Sequence, residues 1–402
     1  MGKKNIRGIL YFLDIFPAIS ETFIINEILE LERKGLTIFI ATRKKEKNVM
    51  HGVINNIRAP VVHLPKAHSL KITNLVIAHV KMMFLHPFNY IKTIIFALKG
   101  RSKALFWFFK ISCVYADIVK QWKFSHIHSH FASVASCYAM FISKILGLPY
   151  TFTVHGWHDL FEYPPADLKE RALQAKKVVT VSQYNKKYMR EKYFIPNRKM
   201  EVIHCGVNIE LFNKIKREKK EKIVKILSVT RLHPIKGVEY LLSACEKLKQ
   251  KKIPFKCSII GEGEEKERLS TQSEKMGLTE LVNFEGSKAT EEVRKIYSLF
   301  DIYVQPSICE GLPLSVMEAM ASELPVVATN VTGMSELVRD GATGYLVEPK
   351  NPLALCRAIE KLIKDSVMRE SMGMAGRKKI EKEFDLKRET SKLINMWVNN
   401  ES

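Results

Sequence analysis

Short apolar runs rich in β-branched residues alternate with segments of helical length along nearly the whole chain. The first series of runs covers residues 9–16, 37–42, 125–130, 150–155, 177–182 and 199–204. A second series covers residues 225–230, 256–261, 281–286, 301–307, 325–330 and 344–349. Runs of this length that are apolar on both faces are typical of parallel strands covered by helices on each side of the sheet. The sequence therefore predicts an α/β fold with two Rossmann-like, parallel-sheet domains.

The length of the chain supports this division. Its 402 residues exceed what one hydrophobic core usually serves, and 46% of them are apolar, which suffices for two cores. The charged segment 213–222 is predicted to be an exposed linker. We predict an N-terminal domain over 1–212, with a basic helical insert near 66–123, and a C-terminal domain over 223–375. The tail, 376–402, is predicted to form helices that pack back on the N-terminal domain.

The cysteines and the N-terminal residues indicate the cellular compartment of the protein. The seven cysteines include no C-x-x-C pair, so neither a disulfide framework nor a zinc framework is indicated. Residues 1–7 are basic, but the apolar stretch that follows contains Asp14 and resembles a strand more than the core of a signal peptide. We therefore expect a cytoplasmic protein.

The net charge of +22 is concentrated unevenly. Residues 59–125 contain ten Lys or Arg and one acid, Asp117, among many aromatic and aliphatic residues. Lys and His interrupt these apolar runs before the roughly 20 residues that a spanning helix requires. The segment fits peripheral contact with an anionic membrane on its inner face, and an ordinary buried helical insert is the alternative. Nucleic acid is a weaker alternative, because no RNA- or DNA-binding signature is present.

Cationic residues follow the first strand of the second series. Arg231 and Lys236 come after residues 225–230, and Gly237 opens the next helix. Two cations beside a helix N-terminus form an anion site, because the free N–H groups and the helix dipole also favour negative charge. Gly261 and Gly263 follow the next strand and permit close backbone approach, although a lone G-x-G also suits an ordinary tight turn.

Two carboxylates follow a later strand of the same series. Glu310 lies in the loop after residues 301–307, and Glu318 lies about one turn into the helix that Pro313 is suited to begin. Carboxylates beside an anion site would repel phosphate if they faced it. Their expected partners are therefore hydroxyl groups, from which carboxylates accept hydrogen bonds. A nucleotide sugar offers both phosphates and hydroxyls. We therefore predict that Glu310 binds the sugar and Glu318 the ribose, and that the N–H groups of Gly311, Leu312, Pro313 and Leu314 face the phosphates.

The motifs resemble those of one enzyme family in content and order. They are FPAISETFIINEILELERKG, HIHSHFA, TFTVHG, VVTVSQYNKKYM, VIHCGVN, SVTRLHPIKG, IIGEGEEKERL and PSICEGLPLSVMEAMASELPVVATNVTGMSELVRDGATGYLVEP. Together they span nearly the whole chain and resemble glycosyltransferase family 4, the retaining GT-B enzymes, especially those of bacterial exopolysaccharide and lipopolysaccharide assembly. The resemblance implies a GT-B fold, in which two Rossmann-like domains face a central cleft, with the acceptor on the N-terminal side and the nucleotide sugar on the C-terminal side.

The resemblance also implies roles for individual residues. Arg231 and Lys236 would neutralise the donor diphosphate, Glu310 would hold the donor sugar, and Glu318 would bind the ribose. His155 would approach the donor sugar near the reacting centre, which makes His155, Glu310, Lys236 and Arg231 the expected catalytic residues. We expect no cofactor and no metal, a UDP- or GDP-sugar as donor, and a saccharide or lipid-linked saccharide as acceptor.

Several features depart from the family pattern or leave alternatives open. Ser20, Glu21 and Thr22 stand where many relatives carry adjacent glycines, so Ser20 is assigned only to the acceptor side. The loop after His155 is longer than usual, and Asp159 is likewise assigned to the acceptor side. His126, His128 and His130 share one strand face, which favours polar residues that line the cleft over a metal site. A nucleotide-sugar epimerase on the same fold, or a basic binding protein without transferase activity, remains an alternative function.

Overall fold

The two series of strands and helices form two separate units. The first unit comprises the chain up to Ile203 and again from Thr390, and the second unit comprises His204–Glu389. The predicted linker, residues 213–222, lies outside the described residues. The structure, a computed structural model of the chain, describes residues 8–18, 21–46, 52–100, 103–212 and 223–399.

A parallel sheet of seven strands forms the centre of the first unit in the part of the chain that the structure describes. The strands are β1 (Ile9–Ile15), β2 (Ile38–Lys44), β3 (Val61–His63), β4 (His126–His130), β5 (Tyr150–Val154), β6 (Lys177–Thr180) and β7 (Met200–Val202). They lie in the order β3-β2-β1-β4-β5-β6-β7, and all neighbours are parallel. The order reverses between β1 and β4, and ligands of open parallel sheets bind beyond the carboxyl ends of strands at such a reversal.

The second unit repeats this arrangement with six strands among its described residues. They are β8 (Val224–Val229), β9 (Phe255–Ile260), β10 (Val282–Gly286), β11 (Ile302–Gln305), β12 (Val326–Thr329) and β13 (Gly344–Val347). Their order is β10-β9-β8-β11-β12-β13, again entirely parallel, and the reversal lies between β8 and β11. The segments that follow β8 and β11 are therefore the expected place for a ligand.

Helices cover the faces of both sheets. In the first unit they are α1 (Thr22–Arg33), α2 (Ile72–Leu85), α3 (Pro87–Lys99), α4 (Lys103–Val119), α5 (Val134–Leu146), α6 (Leu168–Gln174) and α7 (Gln183–Tyr193). In the second they are α8 (Val238–Gln250), α9 (Lys266–Lys275), α10 (Thr290–Tyr297), α11 (Leu314–Ala321), α12 (Met334–Leu337), α13 (Pro352–Lys364) and α14 (Ser366–Glu383). Helix α15 (Leu386–Asn399) begins in the second unit and continues in the first. Among the described residues, no helix is both long and apolar enough to cross a membrane.

Strand β1 shows why the apolar runs form a doubly covered sheet. Leu10 and Phe12 pack in the core on one face, with α4 and α5. Ile9 and Tyr11 pack in a second cluster on the other face, with α1 and the end of α15. Every predicted run corresponds to a strand whose ends fall within two residues of the predicted ends. Strand β3 is not among the predicted runs, because its three residues are too few to show a strand pattern.

The boundaries of the units differ from the predicted domain limits. The first unit ends at Ile203 instead of residue 212, because Val207 exchanges backbone hydrogen bonds with Phe384 and Leu386 of the second unit. Residues up to 389 also belong to the second unit, whereas residues 376–402 were predicted as helices that pack back on the N-terminal domain. From Thr390 onward α15 packs in the first unit, where Trp397 Nε1 donates to Thr151 Oγ1 at 3.1 Å.

Candidate active site

The loop after β8 is joined to the loop after β11. Ile308 N donates to the carbonyl oxygen of Ile235 at 2.7 Å, and the chain turns at Gly237 with a φ of +61°. A Cβ at position 237 would lie 2.3 Å from the carbonyl oxygen of Pro306, so this approach requires glycine. Because the two loops touch here, Lys236 lies beside Glu310.

Lys236 and Glu310 form an ion pair at the strand reversal of the second unit. Lys236 Nζ lies 2.8 Å from Glu310 Oε1 and 2.9 Å from Oε2. Glu310 is 5% exposed, and its Oε1 also accepts from Gln305 Nε2 at 3.0 Å and from Ser307 Oγ at 2.6 Å. A carboxylate held by so many donors is fixed in orientation. Oε2 accepts only from Lys236 among the described residues, and so retains capacity for a further hydrogen bond.

The backbone of Glu310 is held by the segment after β12. Glu310 N donates to Thr332 Oγ1 at 3.2 Å, and the Thr332 hydroxyl donates to the Glu310 carbonyl oxygen. Thr332 has a φ of +44°, which a β-branched residue rarely adopts. Strained backbone of this kind concentrates at binding and catalytic sites.

Glu318 lies on α11 and faces Tyr297. The Tyr297 hydroxyl donates to Glu318 Oε2 at 3.0 Å. Burial raises the pKa of the Glu318 carboxyl to about 7, although the Tyr297 hydrogen bond and the charge of Arg294 act to lower it. Gln305 connects this helix to Glu310, because its Nε2 donates to Glu310 and its Oε1 accepts from Ser315 at 3.5 Å.

The segment that leads into α11 differs from the prediction in one respect. Pro313 occupies the N-cap position, and the helix begins at Leu314, whereas the first turn was predicted to begin with Pro313. Leu312 is buried, and Gly311 is partly exposed. Proline has no N–H group, so Pro313 offers no donor to a phosphate, and only its neighbours Gly311, Leu312 and Leu314 retain that capacity.

Gly261 and Gly263 approach protein backbone closely. A Cβ at Gly261 would lie 1.9 Å from the carbonyl oxygen of Thr230, and one at Gly263 would lie 2.1 Å from that of Leu232. These glycines therefore allow their loop to pack on the segment that carries Arg231. Arg231 is exposed, and its guanidinium has no hydrogen-bond or ion-pair partner among the residues that the structure describes.

His155 belongs to a chain of polar contacts in the first unit. It directly follows β5, and its Nε2 lies 3.0 Å from His130 Nδ1. His130 Nε2 lies 3.1 Å from Glu27 Oε1, which also accepts from the Tyr11 hydroxyl at 2.6 Å. Burial, and secondarily His130, keeps the pKa of His155 well below its usual range. A neutral imidazole at this position both donates and accepts hydrogen bonds.

The three histidines of β4 are buried, so the prediction that they line a cleft is wrong. Thr151 Oγ1 lies 2.9 Å from His126 Nε2 and 2.8 Å from His128 Nδ1, and Trp397 packs beside both rings. The alternation of strand residues identified their common face but not the helix α15 that covers it. Glu27, His128 and His130 have ligand atoms within 4.8 Å of one another, the spacing of a metal group, but both nitrogens of His128 already contact threonine hydroxyls.

Asp159 holds the loop that follows His155. Its Oδ2 accepts from His155 N at 2.7 Å, and its Oδ1 accepts from Ala132 N at 2.9 Å. Burial raises the pKa of Asp159 to about 6 despite these hydrogen bonds. With both oxygens bonded to backbone, this residue is better suited to fixing the position of His155 than to contacting an acceptor. Ser20, the other residue assigned to the acceptor side, lies outside the described residues.

Two acidic residues to which no role was assigned from the sequence lie near the end of β1. Asp14 forms an ion pair with Arg43 and accepts from the Ser133 hydroxyl. Burial raises the pKa of Glu21 to about 7, and the negative charge of Asp14 adds to the effect. These residues mark the strand reversal of the first unit as a second polar site.

Some of the missed residues carried a signal. Gln305 directly follows the apolar residues 302–304 of its strand, and a buried amide must be hydrogen bonded. Glu27 occupies a position in the apolar stripe of α1, three residues after Ile24 and four before Leu31. Thr332 gave no comparable signal, because its contact with Glu310 depends on the path of a loop.

Comparisons with known proteins give consistent matches over both units. Residues 20–211 match the family model described as Glycosyltransferase Family 4, and residues 209–379 match the model described as Glycosyl transferases group 1. The chain is 31% identical to an uncharacterized glycosyltransferase of Methanocaldococcus jannaschii over 64% of its own length and 70% of that protein. It is 33% identical to the amylovoran biosynthesis glycosyltransferase AmsK of Erwinia amylovora over 47% of its own length and 48% of AmsK. The chain thus spans about half the length of the curated relatives of this kind that it matches.

The fold resembles that of a solved structure over almost its full length. The crystal structure of HepE from Anabaena, in complex with UDP and glucose, matches 98% of this chain and 100% of its own with a TM-score of 0.75. The sequence identity is 17%, so this likeness concerns the fold.

Proposed function

The chain belongs to the glycosyltransferases, with family 4 and group 1 sequences on the GT-B fold, and we propose that it transfers a sugar from a nucleotide diphosphate sugar to an acceptor hydroxyl. The proposed donor site lies at the strand reversal of the second unit. His155 is our proposal for the residue that the first unit contributes to the reaction. The UDP and glucose bound to HepE, a protein of the same fold, support this class of donor.

The Lys236–Glu310 ion pair is the observation that carries the proposal. The ammonium group has three N–H donors, and its contacts with Glu310 use two of them, which leaves one for a phosphate oxygen. Glu310 Oε2 retains capacity for a sugar hydroxyl. A cation and a carboxylate held together can therefore bind a phosphate and a hydroxyl of the same small molecule without a net charge conflict. A simple anion site would not require the buried carboxylate.

Other residues complete the proposed donor site. The exposed Arg231 guanidinium provides a bidentate donor for the diphosphate. Backbone N–H groups of Gly311, Leu312 and Leu314 add donors at the start of α11. Glu318 accepts from the ribose hydroxyls when it is ionised. Gly261 and Gly263 act indirectly, by allowing the segment that carries Arg231 to take its position.

The proposed reaction breaks the bond between the anomeric carbon and the diphosphate oxygen, and the electron pair remains on the diphosphate. Lys236 and Arg231 stabilise this growing charge, and single preorganised donors of this type contribute about 2.7 to 4 kcal/mol. The acceptor hydroxyl attacks the same face of an oxocarbenium-like sugar, its proton passes to the departing diphosphate oxygen, and the configuration is retained. We propose that these cations make a metal ion unnecessary for the charge stabilisation.

We further propose that the product belongs to a cell-surface polysaccharide or glycolipid. The name of AmsK places that relative in amylovoran biosynthesis, which supports this class of product. The proposed acceptor is a saccharide or a lipid-linked saccharide.

The proposal is tested by incubating the full chain with UDP-, GDP- and ADP-sugars. We expect one of these donors to raise the melting temperature and, with an oligosaccharide or lipid-linked acceptor, to give a glycoside of the same anomeric configuration without added metal. Glu310→Gln keeps the shape of the side chain but removes its charge, and Lys236→Ala removes the cation. Both variants should lose most transfer, whereas Lys266→Ala, in an exposed ion pair of the same unit, should retain it.

Other results would reject the proposal. An epimerase would convert the donor or release nucleotide without forming a glycoside. A binding protein without transferase activity would show no stabilisation by any nucleotide sugar. Normal transfer by Glu310→Gln would show that the acidic group is not part of the donor site.

A further inference from the structure

Helix α2 carries apolar residues on its buried side and on much of its exposed side, which also includes Asn74 and Lys81. Ala78 and Met82 are buried against the core of the first unit. The opposite side is also apolar, with Ile72 78% exposed, Val76 55% exposed and Phe84 77% exposed. A surface helix normally places polar residues on its outer side, so the large exposed apolar side chains of α2 indicate a second apolar environment.

Helix α3 continues this exposed apolar surface. Thr93 and Ala97 are its buried positions, whereas Phe88, Ile91 and Ile95 follow one another at helical spacing on the exposed side. Only His86 separates the end of α2 from the start of α3, so Phe84 and Phe88 lie on either side of one short turn. We call the exposed apolar side chains of these two helices the α2–α3 surface. Its members include Ile72, Val76, Phe84, Phe88, Ile91 and Ile95.

An exposed surface of this kind indicates an interaction site. Soluble proteins expose single apolar side chains commonly, but contiguous groups of them mark contacts with other proteins or with lipid. Phe88 is 79% exposed, so the fold of this chain does little to shield it from water.

The charges around the α2–α3 surface favour an anionic partner. Residues 59–125 contain ten Lys or Arg and one acid, Asp117. Asp117 is already paired with Lys81 at 3.1 Å and with Lys120 at 2.6 Å. The positive charges of exposed Lys92 and Lys99 are therefore not balanced by an acidic residue of this segment. A second copy of the chain would bring like charges together, whereas an anionic bilayer offers both an apolar layer and negative headgroups.

Helix α4 adds a feature typical of a membrane interface. Trp107 is 46% exposed, and the ammonium of Lys110 lies 6.0 Å from the centre of its ring. Tryptophan and lysine are enriched at the level of lipid headgroups. Helix α2 has 14 residues and is thus about 21 Å long, shorter than the roughly 30 Å of a bilayer core. This geometry suits a helix that lies in the interface rather than one that spans it.

We propose that the α2–α3 surface docks on a bilayer that contains anionic lipid, with its apolar side chains entering the headgroup and upper acyl region and the lysines contacting lipid phosphates. This inference does not depend on the proposed transferase activity. If that activity fails its test, docking on lipid can still be observed, and the reverse also holds.

The test is sedimentation of the full chain with phosphatidylcholine vesicles and with vesicles that also contain phosphatidylglycerol. Binding should require the anionic lipid and weaken as salt concentration rises. The double variant Phe84→Ser with Phe88→Ser should bind the anionic vesicles at least about tenfold more weakly than the wild type. The reason is that it removes two apolar side chains from the contact. Its melting temperature should match the wild type, since both positions are exposed.

Two further variants complete the experiment. Val367→Ser is the matched control, because Val367 is 76% exposed but lies on α14 of the second unit, and its binding should equal that of the wild type. Lys92→Gln with Lys99→Gln should reduce the preference for anionic lipid. Failure of the wild type to bind anionic vesicles, or unchanged binding by the double Phe variant, would overturn the proposal. A wild-type dimer that the double Phe variant dissociates would also overturn it, by identifying the surface as a contact between copies.

Discussion

Lys236 and Glu310 are 74 positions apart in the sequence, and the Lys236 ammonium lies within 2.9 Å of both oxygens of the Glu310 carboxylate. The two residues follow β8 and β11, which are neighbours at the reversal of strand order. Glu310 is buried, whereas Lys236 is partly exposed. The lysine therefore balances a charge that water reaches poorly, and it remains accessible to a ligand.

This burial predicts a large effect of Lys236→Ala on stability. The substitution leaves the Glu310 carboxylate buried without its cation, which should lower the free energy of unfolding by about 2 to 4 kcal/mol. Lys266→Ala is the control, because Lys266 pairs with Glu262 at 2.6 Å but both side chains are more than two fifths exposed. That change should cost less than about 0.5 kcal/mol. Urea unfolding of the three proteins measures both values, and equal losses would contradict the role of burial.

Gly261→Ala should disturb the segment that carries Arg231. The new Cβ would lie 1.9 Å from the carbonyl oxygen of Thr230, and backbone cannot rotate away as a side chain can. We expect a loss of more than about 2 kcal/mol of stability and weaker donor binding. Gly341→Ala is the control, because Gly341 has a φ of +72° but no atom within 4 Å of the Cβ position. It should cost only about 1 to 2 kcal/mol, the penalty of the left-handed conformation.

Thermal or urea unfolding gives the stability of both glycine variants, and calorimetric titration with the donor gives the binding. If Gly261→Ala and Gly341→Ala had the same effect on both quantities, the contact with Thr230 would not matter.

The sequence predicted the strands well because their signal is local. Apolar runs bounded by polar loops locate each strand, and parallel order places residues after β8 and β11 at one sheet edge. Lys236 and Glu310 are therefore predicted from the sequence to lie at the same site. This prediction requires no knowledge of how individual side chains are oriented.

Contacts between distant side chains could not be predicted in the same way. Glu27 and His130 are 103 residues apart, and the periodicity of each element gives only the face on which each lies. The burial of His126 and His128 likewise depends on α15, which arrives from the far end of the chain. The sequence pattern therefore located the strand ends, whereas the partners of each polar group required the packed structure.

The raised pKa of Glu318 predicts how stability changes with pH. The folded protein holds this proton up to about pH 7, whereas the ordinary pKa of the group is 4.5. Between these values the folded state binds more protons than the unfolded state, so Glu318 makes the free energy of unfolding fall as pH rises, and its effect is constant above about pH 7. Glu318→Gln has no such proton. Its stability relative to the wild type should therefore improve by roughly 1 to 3 kcal/mol between about pH 5 and pH 8.

Urea unfolding at the two pH values measures this change. Glu274→Gln, at an exposed position of α9, is the control and should show a constant difference from the wild type. A constant difference for Glu318→Gln as well would show that the carboxyl is not desolvated in the folded protein. Donor binding should be weaker in Glu318→Gln at pH 8, where the wild-type carboxyl is ionised, because the amide accepts hydrogen bonds less strongly than a carboxylate.

The contacts from Tyr11 to His155 predict that Glu27 sets the tautomer of two histidines. Glu27 accepts from Tyr11, and the His130 Nε2–H donates to the same carboxylate oxygen. A neutral His130 then has an unprotonated Nδ1, which accepts from the His155 Nε2–H across 3.0 Å. In Glu27→Gln the amide can donate to His130 Nε2, and this reverses both tautomers. The protonated nitrogen of His155 would move from Nε2 to Nδ1.

If His155 acts in transfer, Glu27→Gln should lower kcat by about tenfold to a hundredfold, an effect of the size seen when a residue that orients a functional histidine is changed. KM for the donor should change little, since the donor residues lie in the second unit. Tyr11→Phe is the control, because it removes one hydrogen bond to Glu27 but leaves the carboxylate facing His130, and it should keep both the tautomers and most of kcat. Nitrogen NMR of the histidine rings reports the tautomers, and steady-state kinetics reports transfer. Reversed tautomers with an unchanged kcat would show that His155 takes no part in the reaction through this contact.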